Sequence, residues 1–577
     1  MKENLKRLLR LTDLAGAAFI FAALSAIAGA VLSLMTPLIA GRAIDCLIPG
    51  SVDFERLKYY AGVLLFLYLG AAFFQWTLAQ ASNHIGYKTC DRLRKDGFAK
   101  VNLVPVSTID GQAHGDITAR LINDADAVAA GLIQGVPKLL TGVTTIAGTL
   151  ITMFAVSAWT ALVVVVLTPL SLLVARRITL KSHVLFADQA DAQGALAGFT
   201  NERIVQRDLI AAFGAEKQNV DAFDEHNGFL EKKAYKAQLY GALVNPLTRF
   251  VNHLVYIAVG LVGGTLALAG RLSIGQVSAL LAYANQYTRP FNEISGVIHQ
   301  LQAADAALTR IFALLDAKEE LSDPENAVAV DQTLGSVLFR DVAFRYRRDT
   351  PLIRDFSLSV KPGQRIAIVG ATGAGKTTLV KLLMRFYDVD GGDIKLDGTS
   401  IYGMRRADLR RQISMVLQES WVFTGTVRDN IAFGKPDATE HEIVSAAGLA
   451  HADGFIARLP KGYDTVIGES VALSQGQTQL LCIARMMLSA PPILILDEAT
   501  SSVDTRTEKH ITQAFDQMMR GRTSFVIAHR LSTVRTADII IVMRDGEIAE
   551  QGTHQNLLDK RGFYYTMYMR QHEQADV

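Results

Sequence analysis

Gly370, Gly375, Lys376 and Thr377 stand at the spacing G-x-x-x-x-G-K-[ST], which suits a loop that cradles phosphate. The apolar run Ile366–Val369 precedes the loop and a helix-like segment, Leu379–Phe386, follows it. In a strand, glycine turn and helix of this kind, successive backbone N–H groups and the helix N-terminus make a concave positive site for phosphate oxygens. Lys376 would reach the β- and γ-phosphates, and the Thr377 hydroxyl would ligate Mg²⁺. A structureless glycine turn is the competing reading, and the flanking strand and helix make it the weaker one.

Further residues of matching chemistry follow in order. Ile413–Leu417 reads as a strand ending at Gln418, whose amide can reach both Mg²⁺ and an attacking water. Leu473-Ser-Gln-Gly-Gln477 opens a helix (Thr478 to Leu488), placing Ser474 and backbone N–H groups at a second anion-binding helix N-terminus. Four apolar residues from Ile493 argue for a buried parallel strand that delivers Asp497 to Mg²⁺ and Glu498 to the water. Ser501-Ser-Val-Asp504 comes next, and the strand Thr523–Ala528 ends at His529, placed to hydrogen-bond a γ-phosphate. Tyr346, at the end of a β-like stretch from Val337, offers an aromatic face for adenine, with a packing tyrosine as the alternative. Alone, an Asp-Glu pair or a histidine would default to structure. Five elements in one order, with polar groups at the C-terminal ends of apolar strands, match the edge where open parallel sheets bind ligands.

The elements that must position this chemistry occupy less than half the chain. There are 577 residues, too many for one ordinary domain. Half are apolar, and mean hydropathy is +0.22. The net charge of +2 gives no polyanionic partner, so no nucleic acid is expected. Cys46, Cys90 and Cys482 lie far apart with no metal-ligand spacing, which disfavours a disulfide framework or zinc site. Cys482 is expected on an apolar helix face as a buried structural thiol.

Six stretches, about 14–40, 60–82, 131–156, 159–175, 250–270 and 274–298, approach the ~20 apolar residues that span a bilayer. The last two are the weakest, because Gly, Asn and Arg interrupt the sixth. Lys and Arg alternate between the connections. The start carries Lys2, Lys6, Arg7 and Arg10; the long helical loops 83–130 and 176–249 carry six and ten. The three opposite connections share only Arg42, Arg56, Lys58 and Arg271. The positive-inside rule puts both termini, both long loops and the nucleotide site in the cytoplasm, which predicts a multi-pass protein of the cell (inner or plasma) membrane. The loop tips, Ser107–Asp124 and Asn201–Gly214, would then reach about 30 Å from the bilayer and act as contact surfaces rather than solvated hairpins. Arg249, His253, Arg289 and Glu293, with Gln276, Asn285, Gln286 and Asn292, are candidates for lining a membrane cavity.

With these pieces assembled, the chain resembles the ATP-binding cassette (ABC) family, exporter-type, over nearly its whole length. The resemblance rests on Walker A (Gly370–Thr378), the Q-loop Gln418, the signature Leu473–Gln477, Walker B (Ile493–Glu498), the D-loop Ser501–Asp504 and the switch His529. It implies a six-helix α-helical transmembrane domain (1–310), a linker (311–335) and an α/β P-loop nucleotide-binding domain (336–577). It implies ATP and Mg²⁺ as ligands, with Tyr346, Gly370, Thr372, Gly373, Gly375, Lys376, Thr377 and Thr378 on the nucleotide and Thr377, Gln418 and Asp497 on the metal. Glu498, His529, Gln418 and Lys376 would carry the hydrolysis. Ser474, Gly476, Gln477 and Asp504 would act across a dimer of half-transporters, on nucleotide held by the partner.

The family signature is usually Leu-Ser-Gly-Gly-Gln, and here Gln475 stands third. In heterodimeric exporters, one chain keeps the catalytic Glu and His but donates an altered signature, so the resemblance favours a heterodimer over a homodimer. The implied activity is ATP-driven export or flipping of a hydrophobic or amphipathic compound whose identity the sequence leaves unknown. Import through the same fold, for instance of a siderophore, is the alternative, because fold does not fix direction.

Overall fold

The computed structural model describes residues 2–11, 15–47, 52–110, 114–320, 322–330, 333–347, 349–416, 420–468, 471–497, 505–527 and 534–575. Two compact units divide the chain: Met1–Leu103 with Gln112–Ala317, and Val104–Gly111 with Lys318–Val577.

The first unit is entirely helical. In chain order the helices are α1 (Lys2–Leu11), α2 (Ala15–Asp45), α3 (Phe54–Val101), α4 (Val106–Asp110), α5 (His114–Ala119), α6 (Ala125–Ala130), α7 (Val136–Val156), α8 (Ala158–Val205), α9 (Arg207–Ala212), α10 (Glu216–Leu268) and α11 (Ile274–Leu315); α4 belongs to the second unit. Helices α2 and α3 pack together, α8 and α10 run side by side, and α11 lies against α7 and α2. The starts follow local chemistry. Asp53 caps α3 through the Arg56 N–H, and Ser273 and Gln276 close a reciprocal box at the head of α11. Gln276, a candidate cavity residue by sequence, therefore serves as a cap: its Oε1 accepts the Ser273 N–H at 2.9 Å.

Two π-helical turns, Arg120–Asp124 and Gly131–Gly135, interrupt the helix that leads into α7. Each inserts a residue and shifts the helical face. At the second turn, a Cβ on Gly131 would stand 2.7 Å from Cβ of Ala304, so only glycine lets α11 approach this closely. Beside the first turn, the half-exposed Arg310 of α11 forks onto the nearly buried Asp124 with Nε at 2.8 Å.

Four helical stretches among the described residues are long and apolar enough to cross a membrane: Ala17–Asp45, Phe54–Val101, Gly115–Val156 and Arg249–Leu268. Ala158–Pro169 is a shorter apolar segment, and side chains 170–172 and 174–176 of the expected fourth span lie outside the described residues. The expected sixth span is helical throughout but falls short of that apolarity among the described residues, since Gln276, Asn285, Gln286 and Arg289 occupy it. Gln286 spends its amide on the Ser33 hydroxyl of α2 at 3.3 Å. Arg249, His253, Arg289 and Asn285 are exposed on this unit, and the side chains of Asn292 and Glu293 are outside the described residues.

The second unit contains β1 (Val337–Phe344), β2 (Ile353–Val360), β3 (Arg365–Gly370), β4 (Gly391–Leu396), β5 (Thr399–Ser400), β6 (Ile413–Val416), β7 (Gly425–Thr426), β8 (Val466–Ile467), β9 (Ile493–Asp497), β10 (Thr523–Ile527), β11 (Ile539–Arg544) and β12 (Glu547–Gly552). The main sheet has the order β12-β11-β3-β10-β9-β6, parallel except where β12 returns against β11. The continuous apolar runs of β3, β9 and β11 are what a sheet covered on both faces requires. Alternate residues enter opposite cores: Ile366, Ile368, Ile493 and Ile495 on one side, Ala367, Val369, Leu494 and Leu496 on the other. A smaller antiparallel sheet, β2-β1-β4-β5, flanks the first core.

The segment after α11 is fixed to this unit by charge. Arg406 meets Glu320 and Asp323, each at 3.1 Å, and the Asp397 carboxylate accepts the N–H groups of Leu334 and Ser336.

Candidate functional site: a nucleotide cleft at the strand ends

Strands β3, β10 and β9 lie side by side and end at one edge of the sheet, and the candidate site is built there. β3 delivers Gly370, the loop that follows turns back, and the helix Lys376–Leu383 begins at once. The turn depends on glycine. Gly370 has φ +152°, and a Cβ there would stand 2.3 Å from the Met543 carbonyl oxygen of β11. Gly375 caps the helix with φ +95°, and its Cβ would meet Ile353 Cδ1 at 2.7 Å. Residues with a Cβ are strained at such angles.

A cleft of about 480 Å³ opens over this turn, lined by Thr372, Gly373, Gly375, Lys376, Thr377, Thr378, Tyr346, Leu352, Asp497 and Ile527. Lys376 is buried, and its Nζ donates to the carbonyls of Gly370 at 2.7 Å and Ala371 at 3.0 Å. Burial lowers the pKa of this ammonium from its ordinary value, against the opposing pull of Asp497. A bound phosphate group would favour the charged form. Thr377 is exposed to the cleft and Thr378 is buried. The Asp497 carboxylate comes from the last residue of β9 into the same cleft.

Tyr346 lies two residues beyond the end of β1, half-exposed, with its hydroxyl 3.2 Å from Thr378 Oγ1. Its ring meets Tyr387 edge-on at a centroid distance of 5.0 Å. Tyr387 in turn donates its hydroxyl to the Asp110 carboxylate of α4 at 2.8 Å, and Lys381 donates to the same oxygen at 3.1 Å. Burial and the neighbouring Asp110 carboxylate both push the Tyr387 phenol above its ordinary range, so it stays a donor. The sequence marked the first loop tip as a contact surface; the identity of its partners, Tyr387 and Lys381, carried no motif.

The signature stands apart from the cleft within this chain. Ser474 is the N-cap of the helix Gln475–Ser489, one turn earlier than the expected start at Thr478. Its hydroxyl accepts the Gln477 N–H at 3.3 Å, and Gln477 Oε1 accepts the Ser474 N–H at 3.0 Å. Gly476 is buried, whereas Ser474 and Gln475 are exposed at the helix start. Cys482 is half-buried rather than fully enclosed; its thiol donates to the Trp421 carbonyl at 3.4 Å, and burial pushes its pKa up. Gln418, Glu498, Asp504 and His529 lie outside the described residues.

Fold and site thus define a chain that joins a phosphate-binding nucleotide unit to a bundle of membrane-length helices. The family description "ABC transporter transmembrane region" matches residues 19–291, and "ABC transporter" matches residues 353–501. A fatty acid ABC transporter ATP-binding/permease protein of Mycobacterium bovis is 42% identical over 522 residues, covering 90% of this chain and 82% of that protein. An ATP-dependent lipid A-core flippase of Syntrophus aciditrophicus is 33% identical over 527 residues, covering 91% and 87%. The solved structure of a bacterial Atm1-family ABC exporter with ATP bound superposes with a TM-score of 0.76 at 28% identity, covering 97% of this chain and 99% of that one. The chain belongs to the ABC transporter family. It is a multi-pass membrane protein that binds ATP and couples its hydrolysis to transport.

Proposed function

We propose that the chain is one half of an exporter that moves a hydrophobic or amphipathic compound of fatty-acid or lipid type across the cell membrane. The observation that carries the nucleotide chemistry is a single cleft holding Lys376, Thr377 and Asp497 at the strand ends with Tyr346 beside them. The substrate class rests on the names of the relatives in Mycobacterium and Syntrophus. The reading divides the chain into a transmembrane domain (1–310), a linker (311–335) and a nucleotide-binding domain (336–577). Both termini and the nucleotide unit lie on the cytoplasmic side, as the excess of Lys and Arg in the long loops supports.

In this reading Gly370, Thr372, Gly373, Gly375 and Thr378 shape the loop that takes the ATP phosphates, Lys376 neutralises their charge and Tyr346 stacks on adenine. The hydroxyl of Thr377 and the carboxylate of Asp497 share one cleft, a hard-oxygen pair that fits Mg²⁺, and Gln418 completes the set. Held by these residues, Mg²⁺ would supply positive charge to offset that of the phosphates. Glu498 orients or deprotonates the attacking water, and His529 hydrogen-bonds the γ-phosphate. Two cassettes close on ATP, the loop tips carry that movement to the membrane helices, and hydrolysis resets the cycle.

Ser474, Gly476, Gln477 and Asp504 serve nucleotide on the partner. That role is supported by Ser474, which stands exposed at the N-terminus of its helix. The partner is a different half-transporter, because Gln475 puts a long side chain where the family has glycine.

The test of this assignment is Glu498→Gln. The purified complex is expected to bind ATP as before and to lose nearly all hydrolysis, about a hundredfold or more. Retention of most of the ATPase rate would overturn it.

A further inference from the structure

A second cavity of the nucleotide unit, about 750 Å³, lies beside the edge strand β6, where the helix Gln475–Ser489 ends and Pro491 and Pro492 lead into β9. It shares no lining residue with the nucleotide cleft. Five cations line it, Arg410, Arg411, Lys435, Arg485 and Arg522, and no described carboxylate does.

Three of the five are compensated from outside the lining. Arg410 meets Glu320 at 3.4 Å, Arg411 meets Asp408 at 2.5 Å and Lys435 meets Glu442 at 2.6 Å. The other two have no carboxylate partner among the described residues. Arg485 is half-buried and gives its donors to neutral acceptors: the Asn430 carbonyl at 2.9 Å, the Asn430 side-chain oxygen at 3.4 Å and the Trp421 carbonyl at 3.4 Å. Arg522 is also half-buried, and its Nη1 is enclosed with no hydrogen-bond partner. Burial holds both guanidiniums below their ordinary pKa. A desolvated cation with an unused donor is costly unless something anionic answers it.

We infer that this cleft is a binding site for a small phosphorylated anion. A guanidinium presents a planar fork that matches two phosphate oxygens, which an ammonium cannot do. Two guanidinium charges without a carboxylate partner among the described residues, one of them (Arg522) with an unused donor, call for an anion with several oxygens and more than one negative charge; a single carboxylate would answer only one. The hydroxyls of Ser414 and Ser489, 3.4 Å apart on the same wall, add neutral donors. The volume lies within the range of about 300–1,000 Å³ usual for small-ligand sites.

The test uses the full chain in detergent carrying Lys376→Ala, which disables the nucleotide loop, titrated with inorganic pyrophosphate by calorimetry. About one site per chain is expected. Arg522→Gln should weaken it by roughly tenfold or more, and Arg522→Lys, which keeps the charge but not the fork, should weaken it by less. Arg411→Gln, on an exposed and already paired guanidinium, should leave binding within about threefold. Arg522→Gln alone, with Lys376 intact, should retain ATPase activity, which shows that the unit is folded. No pyrophosphate binding to the Lys376→Ala chain, or binding unchanged by both Arg522 substitutions, would overturn the inference.

Discussion

Gly370→Ala puts one methyl group into the nucleotide loop, and the structure sets what it should do. The new Cβ would stand 2.3 Å from the Met543 carbonyl oxygen, whereas comfortable contact needs more than 3 Å. Either the loop or β11 must therefore move by about 1 Å, and β11 is paired with both β3 and β12. Overpacking of this kind costs about 1–3 kcal/mol, and holding alanine at φ +152° adds about 1–3 kcal/mol of strain. Gly373→Ala separates the two effects. Gly373 has φ +86°, but a Cβ there meets nothing within 4 Å, so it carries strain without a clash. In thermal unfolding of the purified protein, the nucleotide unit of Gly370→Ala should melt roughly 3–10 °C below that of Gly373→Ala. A 1 Å misplacement of catalytic groups costs on the order of a hundredfold in rate, so the ATPase of Gly370→Ala should fall by about that factor. If Gly370→Ala melts with Gly373→Ala and keeps its ATPase within about threefold, the steric reasoning is wrong.

Asp110→Ala removes the acceptor for Tyr387 and Lys381. These partly exposed hydrogen bonds to a carboxylate are together worth about 1–2 kcal/mol, so ATP-driven transport should fall several-fold while ATP affinity stays within about twofold. Unchanged transport would show that α4 carries no coupling. Affinity purification of the tagged chain from native membranes should recover a second half-transporter of similar size; a single band would favour a homodimer.

The nucleotide loop was legible because its spacing is dictated by backbone geometry. Gly370 and Gly375 occupy positive φ at points of close approach, and no other residue type fits there. Asp497 was legible for a related reason: a run of four apolar residues must be a buried strand, and the acid after it must emerge at the edge. The π-helical turns before α7 left no signal, because they answer to packing against α11 rather than to local propensity. Gln276 was misread for the opposite reason. A polar residue near a membrane span suggests a cavity, but at the third position of a helix behind serine it is a cap. Tyr387 and Lys381 gave no warning of their role because Asp110, which brings them together, is more than 270 residues away in sequence.

Transport measured in inside-out membrane vesicles bears most directly on the central claim. Vesicles containing the complex should accumulate labelled fatty acid or lipid only when ATP is supplied, and Lys376→Ala and Glu498→Gln should each abolish that accumulation. Accumulation that persists in both variants, or export from right-side-out vesicles that needs no internal ATP, would contradict the account.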